Sequence, residues 1–116
     1  MGSDDAQCGS MTDELTWLQQ WYSSQCDGEW EHAAGITIET IDNPGWSVTI
    51  YIEDTEMASL PFEPLKTQLS ETDWVQCRVA ERNDGEVYRR FTGHGGASNL
   101  SDIIGVFRKW VGTKEQ

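Results

Sequence analysis

Between Ile36 and Glu53 the chain alternates apolar and polar side chains on both sides of Asn43-Pro44-Gly45. Trp46, Val48, Ile50 and Ile52 point one way and Ser47, Thr49, Tyr51 and Glu53 the other, which is the period of a half-buried strand. Ile36 to Ile41 reads as its hairpin partner. The link suits a type II turn, with Pro44 at i+1 and Gly45 supplying a positive φ at i+2. An isolated hairpin is barely stable in water, so more sheet and a cover for its apolar face must come from the rest of the chain.

The flanking segments supply both. Residues 12–25 predict a helix, capped by Thr12 and favoured by Asp13 and Glu14 in its first turn. Leu15, Leu18, Trp21, Tyr22 and Gln25 fall on one side, Trp17 lies on the flank, and Asp27-Gly28 stops the helix. Past Pro61 and Pro64, a third strand is expected near 65–69, and Ser70 to Asp73 turns the chain. A fourth strand spans 74–80, with Val75, Cys77 and Val79 on one face. Asn83-Asp84-Gly85 is a hairpin turn into a fifth strand at 86–92. Gly93-His94-Gly95-Gly96 reads as a flexible link, with His94 a mobile loop residue. Ser98 or Asn99 then caps a last helix with Leu100, Ile103, Ile104, Phe107, Trp110 and Val111 as its stripe, ended by Gly112.

Every strand connection is short enough for antiparallel pairing. The expected fold is therefore α+β: an antiparallel sheet of about five strands in meander order, with an N-terminal and a C-terminal helix packed on one face. With 116 residues there is core for one domain, placed at 11–116. Residues 1–10 read as a flexible leader or a cloning remnant.

Charge narrows the partners. Acids outnumber bases 20 to 8, for a formal net charge of −12. Affinity for nucleic acid or an anionic membrane comes mainly from Lys and Arg, so neither is expected as a direct partner. No run approaches the roughly 18 apolar residues of a membrane span. Cys8, Cys26 and Cys77 are odd in number and lack paired spacing, which favours a reducing, cytoplasmic setting. The acids are also unevenly placed. Residues 1–65 carry 13 of them and no Lys or Arg, and Lys66 is the first cation.

The densest run of chemistry-bearing residues is Trp21 to His32. As an enzyme, the chain would use Cys26 as nucleophile and His32 as its base, with Glu31 or Asp27 orienting the imidazole. The spacing matches no nucleophile motif, and a helix end with Cys26 buried and Trp30 packed on the sheet explains it as well. Cys26, His32, Cys77 and His94 are the right number for zinc, but none forms a close pair. The glycine stretch before the last helix lacks the Lys-Ser/Thr of a phosphate-binding loop. No catalytic residue, metal ligand or cofactor is assigned. Trp17, Trp30 and Trp74 are not all expected to be buried in so small a domain, and exposed indoles beside acids suit a protein interface. The candidate partner-binding residues are Asp27, Glu29, Trp30, Glu31, His32, Asp42, Trp46, Glu53 and Asp54.

The segments WLQQWYSSQCDGEWEH (17–32) and GITIETIDNPGWSVTI (35–50) resemble family 53 of the bacterial polymorphic-toxin immunity proteins. PFEPLK (61–66), DWVQCRV (73–79) and SNLSDIIGVFRKW (98–110) are similar too. The family's characteristic positions fall at Trp21, Tyr22, Gln25, Cys26, Asp27, Gly28, Trp30, Glu31, His32 and Asp42 to Trp46. The resemblance implies a small bacterial cytoplasmic antidote that binds a cognate toxin domain stoichiometrically and without catalysis. A strongly acidic inhibitor suits a basic target such as a nuclease.

Overall fold

The alternation around Asn43-Pro44-Gly45 does form a hairpin. In the computed structural model, which describes residues 13–83 and 87–114, β1 (Ile36–Ile41) pairs antiparallel with β2 (Gly45–Tyr51). Ile36 lies opposite Ile50 and Ile38 opposite Val48. The turn is not the expected type II. The Asn43-Pro44 peptide is cis, and the described glycines at positive φ are Gly28 and Gly35. Gly45 is needed for space instead: a Cβ there would sit 2.2 Å from the Gly95 carbonyl oxygen on the next strand.

β3 (Leu65–Gln68), β4 (Trp74–Asn83) and β5 (Val87–Gly96) complete a five-stranded antiparallel sheet. The α+β class and strand number agree with the sequence reading, but the meander order does not. The order is β1-β2-β5-β4-β3, so residues 52–64 carry the chain from β2 to the far edge. Ten-residue β5 pairs along β2 on one side and β4 on the other, whereas β3 has four residues, all exposed. The long apolar-faced strands take the centre, where both sides of the ladder are satisfied.

The stretch Gly93-His94-Gly95-Gly96 is the second half of β5 and not a flexible link. His94 is correspondingly a strand residue, opposite Ser47 and Gln76. The glycines allow close approach of the last helix, α3 (Leu100–Lys114), to the sheet. A Cβ at Gly93 would lie 2.4 Å from Cγ2 of Ile103 on that helix; at Gly96 the close neighbour is instead the turn before β4, where a Cβ would lie 2.2 Å from the Thr72 carbonyl oxygen. The predicted Asn83-Asp84-Gly85 turn, Thr12 and residues 1–10 lie wholly or partly outside the described residues.

The first helix, α1 (Glu14–Gln25), is capped by Asp13 in place of Thr12, its Oδ1 accepting the Thr16 N–H at 2.8 Å. Leu18 and Trp21 are buried, and Trp17 packs edge-on against Phe107 with centroids 6.0 Å apart. Arg108 of α3 binds Glu14 of α1 at 3.0 Å and lies over the Trp17 ring. The helix is thereby turned so that Leu15 and Tyr22, on the same predicted stripe, stay 53% and 37% exposed. At the core centre Phe91 and Phe107 are wholly buried, with ring centroids 5.1 Å apart.

Asn99, only 4% exposed, knots the start of α3 to the start of β4. Its Oδ1 accepts the Trp74 N–H at 3.3 Å, and its Nδ2 donates to Asp73 and Asp102. Trp110 fixes the crossing segment by donating Nε1–H to the Pro61 carbonyl at 2.8 Å. The Arg89 guanidinium reaches the carbonyls of Ala58 and Leu60 in the same segment.

Candidate functional site

The run from Cys26 to Ala34 folds back on itself. Oδ1 of Asp27 accepts the N–H groups of Glu29 and Trp30, both at 2.9 Å. The Glu31 carboxylate returns the grip, taking the N–H of Asp27 at 3.0 Å and of Gly28 at 2.9 Å. Gly28 at φ 94° makes the reversal possible. These bonds favour the charged carboxylates. Asp27 is held below its ordinary pKa by the Trp30 and Glu29 amides, and Glu31 by its own amide and then those of Asp27 and Gly28. The result is a single helical turn, α2 (Trp30–Ala33), which the hydrophobic periodicity does not reveal.

This latch drives Trp30 inward. The indole is 5% exposed and meets Trp21 edge-on, with centroids 6.1 Å apart. Trp30 is thus a core residue, while Trp17 and Trp74 are half-buried.

Above Trp30 lies a cleft of about 530 Å³, lined by Asp27, Glu29, Trp30, Ala33 and Ala34 together with Glu53 and Asp54 from just after β2. Five of the nine predicted site residues therefore converge, four of them acids. Glu29 and Asp54 are exposed, and Asp54 holds a φ of 63°. Glu53 is partly committed. Its Oε2 accepts the Arg89 N–H at 3.2 Å and lies 3.9 Å from Nε of Arg90, whose guanidinium stacks on Tyr51. Its Oε1 is buried without a hydrogen-bond partner.

The other four predicted residues lie elsewhere. Glu31 serves the latch, and His32 is exposed on α2 outside the cleft lining. Asp42 sits in the turn at the opposite end of β1, about 17 Å along the strand. Trp46 is half-buried, donating Nε1–H to the Ala97 carbonyl at 2.9 Å.

The four thiol and imidazole groups do not assemble. Cys26 is exposed rather than buried, and its thiol donates to the Tyr22 carbonyl at 3.4 Å. Cys77 faces the core, where burial pushes its pKa up to about 12. His94, one residue beyond Cys77's partner Gly93, falls on the opposite face of the sheet. Among the described residues no group of three or more His, Cys, Asp or Glu side chains is arranged to hold a metal ion.

Sequence reasoning missed a second concavity, a groove of about 380 Å³ between α1 and β1. Leu15, Leu18, Tyr22, Ala34, Ile36 and Ile38 give it an apolar lining. Ala34 lines both groove and cleft, so the two adjoin at that residue. The signal available was the width of the α1 stripe, which is broader than one packed face needs.

A family model described as immunity protein 53 matches residues 15–112. No curated protein and no solved structure matches the chain. Among the described residues, no helix is long and apolar enough to cross a membrane.

Proposed function

The chain belongs to the immunity protein 53 family, and from that premise we propose that it neutralises a cognate bacterial polymorphic-toxin domain in the cytoplasm by stoichiometric binding at an acidic surface. The observation that carries this reading is the convergence of Asp27, Glu29, Glu53 and Asp54 on one cleft floored by Trp30. Asp27 is tied internally and sets a fixed negative charge, while Glu53 is held by the Arg89 N–H and partly offset by Arg90. Glu29 and Asp54 are exposed, and they meet the partner. A basic toxin domain, such as a nuclease, complements this surface by placing a Lys or Arg side chain in the cleft.

The test uses the toxin domain encoded beside this gene, made catalytically inactive. Association should be fast at low salt and slow by about tenfold or more as ionic strength rises. Glu29→Lys and Asp54→Asn should each slow association, with asparagine chosen because it tolerates the positive φ of Asp54. A salt-independent association rate overturns the electrostatic reading. Survival of cells that express the active toxin without this protein overturns the immunity role.

A further inference from the structure

We propose that β1 is a docking edge, which takes an extended segment of the toxin as a sixth strand of the sheet. The proposal rests on the immunity reading and adds to it the mode of binding. A strand edge is a row of unpaired peptide groups, and proteins guard such edges with Lys, Pro, bulges or brevity. The far edge is guarded in this way: β3 has four residues, carries Lys66 and follows Pro64. In contrast, β1 has six residues, Ile-Thr-Ile-Glu-Thr-Ile, five of them β-branched, with no Lys, Arg or Pro. Among the described residues, nothing pairs with its outer side.

The register identifies the open groups. The Tyr51 N–H donates to the Gly35 carbonyl at 3.0 Å, and the antiparallel ladder alternates from there. Thr37, Glu39 and Ile41 bond to β2, so the N–H and C=O of Ile36, Ile38 and Thr40 point away from the sheet.

The apolar groove runs beside this edge. A strand added to β1 would extend the sheet beneath α1 and cover Leu15 and Tyr22, the two large apolar side chains that the helix leaves exposed. This gives a use to two large apolar side chains left exposed beside the buried Leu18 and Trp21.

Charge defines the occupant. Every groove residue lies between 15 and 38, inside the segment without a Lys or Arg, and Glu39 and Asp42 flank it. At Ala34 the groove adjoins the acidic cleft. The matching segment is extended and has apolar side chains at alternate positions for the groove. It carries a Lys or Arg at the end that reaches Asp27, Glu29 and Asp54.

Two variants and one exchange measurement test this with the full chain and the inactive toxin domain encoded beside it. Thr40→Pro removes an outward N–H while keeping the β1–β2 bonds, and Leu15→Arg places a cation in the groove at an exposed helix position. Each should weaken binding by about tenfold or more with little change in thermal stability. In free protein the amides of Ile36, Ile38 and Thr40 should exchange rapidly and those of Thr37, Glu39 and Ile41 slowly; the complex should slow the first three by about tenfold or more. Unchanged affinity of both variants, or unchanged exchange at those amides in a complex that does form, overturns strand addition and leaves the immunity reading standing. Absence of any complex overturns both. A free-protein dimer that both variants convert to monomer assigns the edge to a second copy and also overturns the proposal.

Discussion

Replacing Gly93 with alanine should destabilise the protein by about 3 kcal/mol, the upper end of what overpacking a tight core costs. The new Cβ would lie 2.4 Å from Cγ2 of Ile103 and 3.3 Å from Sγ of Cys77. Both neighbours are buried, at 0% and 2% exposure. Comfortable carbon–carbon contact needs about 3.5–4.0 Å, so the helix must retreat by about an ångström. A χ1 rotation would move Cγ2, but a β-branched side chain in a helix has one strongly preferred χ1, and Ile103 is fully buried, so α3 must shift instead. At roughly 4–8 °C per kcal/mol for a domain of this size, Tm should fall by about 12–24 °C. If the glycine stretch were a flexible tether, the same change would stabilise by about 0.4–1 kcal/mol, by restricting the unfolded chain. Thermal and urea unfolding followed by circular dichroism measure the sign directly. Ile103→Ala alone should cost about 2–5 kcal/mol through the cavity it leaves. In the double variant the methyl added at position 93 fills part of that space, so the combined loss should fall short of the sum by about 1–3 kcal/mol. A Gly93→Ala protein that melts at or above the parent temperature, or a strictly additive double variant, refutes the reasoning.

Asn99→Ala should cost about 1–3 kcal/mol, because it removes the buried side chain whose Oδ1 accepts the part-buried Trp74 N–H; chemical denaturation measures this, and a change below a few tenths would contradict the knot. The Asp27–Glu31 latch should loosen with acid. Both carboxyls have pKa values lowered on folding, so their contribution is present above their unfolded pKa values and is lost as pH falls through the folded ones. Amide shifts of Asp27, Gly28, Glu29 and Trp30 followed from neutral to acidic pH should move together below the ordinary carboxylate range. Glu31→Gln should remove that pH response at Asp27 and Gly28 first, and an unaltered response in this variant would place its origin elsewhere.

What could be read in advance was what depends on neighbours in sequence. The β1–β2 hairpin was legible because its partners, Ile36 to Ile41 and Gly45 to Tyr51, are local and alternate cleanly. The stripe of α3 was legible because Ile103, Ile104, Phe107, Trp110 and Val111 keep one helical face, and all are buried. The place of β5 between β2 and β4 was not, since strand order depends on pairing between distant segments such as Ile50 and Phe91. Glycines usually mark turns, so the strand character of Gly93 to Gly96 was hidden; it comes from the closeness of Ile103 and Thr72. The candidate site was half legible. Its acids could be named, but the inward turn of Trp30 follows from hydrogen bonds of Asp27 and Glu31 that no periodicity reports.

The place of β5 also orders events during synthesis. The middle strand of the sheet is the last strand that the ribosome delivers. Until it emerges, β2 lacks its second neighbour, and β3 with β4 forms a separate pair with no bond to the first hairpin. The helix that covers both follows later still. A nascent chain that ends before β5 thus lacks both the strand that joins β1–β2 to β3–β4 and the helix that covers them. The fold closes in one late step, when a single strand locks both halves and α3 settles on its glycines.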